Sequence, residues 1–494
     1  MKINYNASAA VANKHLLGIE DRMGRAMERL STGLKLNHSK DNPAGMAISA
    51  KMQAQIDGLN RASQNASDGI SVIGIADGAL NEVASILQRM RELSVQAASD
   101  ATMSVEDKQA VQDEIDSLKG EVNRISRDTE YNSKPLLDGS LDRLICTKHA
   151  SRVQTSDTVV SGIYEFTIDA AAKQAEVDIT GRDFNDNVNQ VGFKGSLNVN
   201  GGIATIEATD TYAEAYEKIR KAAEIGGANV SRNAAGELNF KTERYGKDST
   251  LTISTGSQEL AAALGISVVQ DPENEKSFVH GTVDATGKKV QVPSGEDMKY
   301  TLNTTPDPND PNKVAFSTSA TVLTDGNKVE ITDLNGVKFT FLAEAGYDAT
   351  HPDGGKIEFE VTKLGAMTLH IGANMDQNME IRIPEVSSSS LFIDDLDVVV
   401  TGGAGRAISS LDAAIAQVSS VRSMLGAYEN RLDYSVSSLD TFEENMTRAI
   451  SRLTDADMAE EMTEYTHQNI LNQAAISVLT QANDMPQQVL QILQ

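Results

Sequence analysis

Apolar residues recur at steps of three and four along both ends of this chain, and that pattern limits what it can fold into. In the first segment Tyr5, Ala9, Ala12, Leu16, Ile19, Met23, Ala26 and Leu30 form a heptad seam. In the last, Leu471, Ala475, Val478, Ala482, Met485, Val489 and Ile492 make one apolar edge that runs to within two residues of the final position. Between them Ile408, Leu411, Ile415, Val418, Leu425, Leu432, Val436, Leu439, Met446, Ile450 and Leu453 share one register, with Arg422, Glu429 and Glu443 in the remaining seam positions. Heptads at both extremities predict N-terminal and C-terminal helices that pair. Leu34, Leu36, Ile470, Leu479, Leu490 and Leu493 add apolar positions off the main seam, more than a two-helix coil needs. Leu16, Ile19, Met23, Leu30, Leu471, Val478, Met485, Val489 and Ile492 are therefore the candidate residues for packing between copies.

Local signals divide the rest. Asn37, Asp41, Asn42, Pro43 and Gly45 mark a loop that caps a new helix, expected to end near Asp100. Ser104 to Asp107 reads as a capping box opening a shorter antiparallel partner, whose apolar face is Val111, Ile115, Leu118, Val122 and Ile125. A break is expected at Leu453-Thr454-Asp455, and Pro486 should kink or restart the final helix. Residues 142–366 differ in kind: six of the ten prolines and 15 of the 22 aromatics lie there. Residues 203–255 read as strand, helix (Thr209 to Glu224, stopped by Gly226-Gly227), then three strands, and Asn335-Gly336 centres a hairpin. Residues 131–141 and 367–384 look like halves of one small β element, with 142–366 inserted into it. The fold class is α+β: a long antiparallel coiled coil or bundle from both termini, with an inserted β-rich region.

Composition excludes several roles. A formal charge of −26 and a pI near 4.7 argue against nucleic acid and against an anionic membrane surface. Apolar runs fall short of a membrane span, and the N-terminus, broken by His15, Glu20, Asp21 and Arg22, lacks the form of a cleavable signal. One cysteine, Cys146, allows no internal disulfide.

Five stretches resemble bacterial flagellin, the filament subunit of the flagellum: STGLKLNHSKDNPAGMAIS, GLNRASQNASDGISVIGIADGALNEV, LQRMRELSVQAAS, LHIGANMDQ and ILNQAAISVLTQANDMPQQVLQIL. The resemblance implies terminal helices that form an inner tube (1–44 and 455–494) and a surrounding helical rod with a β-hairpin (45–141 and 367–454). It also implies two outward variable domains (142–270 and 271–366), and 203–255 is similar to a short repeat of flagellins and filament caps. It further implies type III export to an extracellular filament, an export chaperone on the C-terminal helix, cap and junction proteins as partners, and shape switching through a hairpin built from 131–141 and 367–384. Recognition by Toll-like receptor 5 is implied through Arg89, Leu93 and Glu114. A hook–filament junction or cap protein is the alternative.

Catalysis finds no support in the residues. The seven histidines are scattered and none is followed by Glu, so a zinc-protease signature is lacking. Gly402-Gly403-Ala404-Gly405 lacks the Lys-Ser/Thr ending of a phosphate loop and reads as an entry to the returning helix. Asp307, Asp310, Asp325 and Asp333 read as solvated turn carboxylates before they read as a calcium site. No cofactor or resident metal is expected.

Overall fold

The computed structural model describes residues 6–99, 103–156, 158–272, 274, 276–284, 289–305, 312–362 and 364–492, those from 486 onward by backbone alone. Tyr5, Asp307, Asp310, Leu493 and the side chains of Val489, Leu490 and Ile492 lie outside the described residues. The helices are α1 (Ala7–Thr32), α2 (Pro43–Ala97), α3 (Val105–Asp128), α4 (Tyr212–Ile225), α5 (Gln258–Leu264), α6 (Gly403–Thr454) and α7 (Met458–Ile492). The chain forms two compact units, one of residues 1–71, 368–379 and 429–494, the other of 72–367 and 380–428.

In the first unit α1 and α7 run antiparallel. Asn6 Nδ2 donates to the Ala482 carbonyl at 2.9 Å, and at the opposite end Arg29 Nη1 donates to Glu461 Oε1 at 3.0 Å. Helix α1 is capped by Asn6 Oδ1 on the Ala9 N–H and stopped by Gly33 at φ 71, a left-handed backbone that glycine adopts at least cost. Its buried side follows the expected seam, from Ala9 to Leu30, with Ile19 and Ala26 most enclosed. On α7 the inward side is Tyr465, Gln468, Leu471, Asn472, Ala475, Leu479 and Ala482. The expected edge is thus displaced: Val478 and Met485 face out, and Leu479, read as off-seam, turns inward. Leu36, also read as off-seam, is buried within the loop before α2, its Cδ1 beside Gly45.

The break at 455–457 forms where expected, but α7 continues through Pro486 to Ile492. Proline removes the hydrogen bond to the carbonyl four residues back. That carbonyl is Ala482's, and Asn6 Nδ2 supplies the missing donor.

The two segments expected to share one β element close separate hairpins. Glu130–Tyr131 pairs with Lys134–Pro135 across Asn132 and Ser133, both at positive φ, the backbone of a tight hairpin turn. Met367–His370 pairs with Asn378–Ile381. Each run carries its own turn, so local closure costs less entropy than pairing across the insertion. The second hairpin lies on α2, where Asn65 Nδ2 donates to the His370 carbonyl at 3.0 Å. Gly58 and Gly69 make that approach fit: a Cβ at Gly69 would collide with Leu369 Cδ1, and one at Gly58 would press on Ala373.

In the second unit the helical core is built mainly from apolar side chains. Ile73, Ala76, Leu80, Val83, Leu87 and Met90 of α2, Ile115 and Val122 of α3, and Leu411, Val418 and Leu425 of α6 are fully buried. The expected Ser104–Asp107 capping box is present. Arg422 grips Asp77 at 2.8 Å, so the charged seam position is paired across the core. The Gln112 side chain straps residues 386–400 onto α3, donating to the Leu396 carbonyl and accepting from the Val398 N–H, both at 2.9 Å.

The insertion leaves and returns at one place: the Leu144 N–H donates to the Leu364 carbonyl at 3.0 Å, and the Thr362 N–H to the Leu144 carbonyl at 3.1 Å. A division at 270/271 was expected, but the cores are nested. The outer core draws on 145–172 and 298–361, because strand Gly162–Ala170 pairs with Lys299–Leu302 on one side and Lys356–Val361 on the other. The inner core is built from 175–266. Within it 203–255 follows the expected order, strands Gly202–Ile206, Ala228–Arg232, Leu238–Tyr245 and Ile253–Thr255 around α4, which a Thr211–Glu214 capping box opens. The Asn335-Gly336 hairpin joins Lys328–Thr332 to Lys338–Ala343.

Candidate assembly surface

The α1–α7 pair is a thin structure. Its inner seam holds alanines, Gln468 and Asn472 among few large side chains, and Gln468 Oε1 is buried without a partner among the described residues. A two-stranded coil of this kind usually carries charged residues on the positions flanking its seam. Here Met462 and Ile476, two heptads apart, occupy one flank of α7, and Val478 and Met485, one heptad apart, occupy the other. Both flanks are open: Met462 and Ile476 are 52% and 50% exposed, Val478 and Met485 55% and 49%. Ile470 on α7 and Val11, Leu17 and Met27 on α1 add to this surface. Helices with apolar residues on both flanks of a filled seam have room for further helices, and each large side chain so covered contributes roughly 1.5–3 kcal/mol.

The candidate packing residues therefore fall into two groups. Leu16, Met23, Leu30 and Leu471 are half-buried at the seam margin, and Ile19 is consumed by the pair itself. Val478 and Met485 remain about half exposed. The sequence reading missed Val11, Leu17, Met27, Met462 and Ile476, which fall between seam positions; a count of apolar residues at flanking positions would have found them.

Helix α2 contains a stretch long and apolar enough to cross a membrane by composition. In the structure Ile73, Leu80 and Val83 of that helix are fully buried in the helical core.

Arg89 and Glu114 meet across α2 and α3, with Nη2 to Oε1 at 2.9 Å and a further contact from Arg89 to Glu92 at 3.5 Å. The hydrogen bond that Arg89 donates to Glu114 holds the guanidinium pKa above its ordinary value, and both side chains are about half exposed. Leu93 is different. It is 2% exposed, inside the helical core, and offers no contact area to a partner on this chain. Of the acidic turn residues, Asp333 accepts from Ser319 Oγ at 2.8 Å and, within its own turn, from Asn335 Nδ2 at 3.2 Å, and Asp325 faces Arg244 at 3.6 Å. Gly402, at φ 73, precedes the first residue of α6, as an entry to the returning helix should.

Residues 3–142 match the family model described as the bacterial flagellin N-terminal helical region, and residues 408–493 match the C-terminal helical region. Similarity extends through the insertion. The chain is 30% identical over 492 residues to a flagellin of Clostridium tyrobutyricum, covering 99% of this chain and 100% of that one. It is 29% identical over 514 residues to a flagellin of Salmonella typhimurium, covering 99% of each. With polar flagellin F of Vibrio parahaemolyticus it shares 26% identity over 491 residues, again 99% of each.

Proposed function

The chain belongs to the bacterial flagellin family, and from that premise we propose how its surfaces serve the filament it builds. It is a structural subunit that polymerises into the flagellar filament; the relatives that match it end to end are flagellins, which sets aside a junction or cap role. The observation that carries the assembly reading is the open apolar flanks of α7. Residues 1–44 and 455–494 form the inner layer, where these flanks meet helices of neighbouring copies. Residues 45–141 and 367–454 form the surrounding layer, and the insertion faces outward into the medium. The subunit reaches the filament tip through a type III export channel. A chaperone covers the apolar C-terminal helix beforehand, and cap and junction proteins meet it at the filament ends.

Seeding tests this reading. Purified monomer added to short filament fragments should elongate them, as seen by electron microscopy. Val478→Asp with Met485→Asp should raise the critical concentration at least tenfold per substitution, since about 1.4 kcal/mol is a factor of ten. Normal elongation by that variant would break the assignment.

Recognition by Toll-like receptor 5 is a second reading, favoured by the exposed Arg89–Glu114 pair. It rests on these two residues without Leu93. Arg89→Ala with Glu114→Ala should weaken binding to the receptor ectodomain in surface plasmon resonance, and unchanged affinity would remove it.

A further inference from the structure

Two of the seven histidines, far apart in sequence, meet at one corner of the insertion. His149 sits in the tight connection before strand Ala150–Thr155, in a left-handed backbone at φ 61. His351 belongs to the loop after strand Lys338–Ala343, which Tyr347 anchors by donating its hydroxyl to the Lys356 carbonyl at 2.7 Å. The His149 ring stacks on Tyr347, centroids 4.2 Å apart and 11° from parallel, so its plane is fixed. His351 approaches His149 edge-on at 5.1 Å.

The donor atoms converge. His149 Nε2 lies 3.6 Å from Asp353 Oδ2, and His351 Nδ1 lies 3.6 Å from the same oxygen. A tetrahedral zinc site with bonds of about 2.0–2.1 Å has ligand–ligand edges of about 3.4 Å. One donor atom from each of the three residues lies within 4.8 Å of the others, so modest side-chain movement closes the set. The other nitrogen of His149 carries an independent sign. Its Nδ1 is 2.7 Å from Glu344 Oε2, which fixes the ring's orientation with Nε2 turned toward Asp353. A carboxylate on the far nitrogen is the usual support of a metal-bound imidazole.

We propose that His149, His351 and Asp353 bind a first-row divalent transition-metal ion, with Glu344 as a positioning residue. Two imidazoles and one carboxylate suit Zn2+ and not the all-oxygen shells of Ca2+ or Mg2+. The fourth position is open to water, because the site lies at the surface. Binding ties the 344–355 loop to the turn at His149. It is independent of filament assembly.

Isothermal titration calorimetry on the full-length monomer, with ZnCl2, CaCl2 and MgCl2 as separate titrants, tests the site. One equivalent of Zn2+ should bind, with no saturable binding of Ca2+ or Mg2+. His351→Ala and Asp353→Asn should lose that equivalent, with far-ultraviolet circular dichroism unchanged. Glu344→Gln should keep the stoichiometry and weaken binding 10–100-fold. Undiminished Zn2+ binding in His351→Ala would mean an adventitious ion only, and no saturable Zn2+ binding by the wild type would overturn the proposal. Should a variant misfold, Co2+ in the wild-type protein decides: a four-coordinate visible spectrum supports the site and a six-coordinate one overturns it.

Discussion

The α1–α7 pair and the insertion solve the problem of burial in opposite ways. The insertion encloses Phe166, Phe184, Phe240, Phe339, Phe341 and Phe359 completely, in cores assembled from strands of one chain. The terminal pair buries Ile19, Ala26 and Ala482, leaves Gln468 half-satisfied, and keeps Leu17, Met27, Met462, Ile476, Val478 and Met485 about half exposed. Aromatics supply the most buried area per residue, so a region with them can settle alone. A region made of Ala, Ser, Asn and Gln with a few methionines and aliphatics settles marginally, and gains its stability when other helices cover it. The difference suits a polymer whose contacts form at the ends of the chain and whose display surface is folded in advance.

The largest test of this contrast is a cavity. Phe339→Ala should destabilise the insertion by about 3–5 kcal/mol in urea unfolding, whereas Leu16→Ala, half-buried, should cost the monomer less than a third of that. Equal losses would mean the terminal seam is as well packed as the insertion. Next, hydrogen exchange on dilute monomer should be at least a hundredfold faster in 7–32 and 458–485 than in the strands around Phe339, a gap of about 2.7 kcal/mol in opening free energy. Protection in the terminal helices equal to that of the strands would break the comparison outright.

Charge sharpens it further. Glu165 is nearly buried in the insertion, where a hydrogen bond from Lys356 at 2.8 Å, joined by Lys313 at 3.2 Å, holds its carboxyl below the ordinary 4.5. A depressed folded pKa means the stabilisation is fully present above about 4.5 and is lost as pH falls through the folded value. Glu165→Gln should therefore cost about 1.5–3 kcal/mol at neutral pH, with the penalty shrinking below pH about 4 in acid titrations of unfolding. The smallest effect belongs to the terminal pair. Asn6→Ala removes both the α1 cap and the donor that serves the Ala482 carbonyl opposite Pro486. It should lower helicity of the dilute monomer by an amount worth about 1 kcal/mol, read by circular dichroism, while Gln468→Leu should raise it.

Much of the helical half was legible because its signals are short-ranged. The α1 seam, the Ser104 cap, the break near Thr454 and the run of four α6 leucines and valines at heptad spacing all depend on neighbours three or four residues away. The α7 frame was read one position off at Val478 because that helix is apolar on both flanks, so period alone does not say which row faces its partner. The resemblance implies a contact at Leu93, whereas its side chain is 2% exposed. The nested cores and the His149–His351 meeting were illegible for another reason: strand partners more than a hundred residues apart leave no periodic mark.

Sequence by itself determined that both ends are helical, that the middle is a separate β-rich body, and that the chain resembles flagellin. These follow from apolar period, aromatic placement and local capping chemistry, each expressed within a few residues. Tertiary structure alone decided which row of α7 faces α1, which strands share a core, and that Asn6 satisfies the carbonyl that Pro486 leaves bare. Those outcomes depend on which surfaces meet in space, and the free energy of meeting belongs to the pair of surfaces and not to either segment.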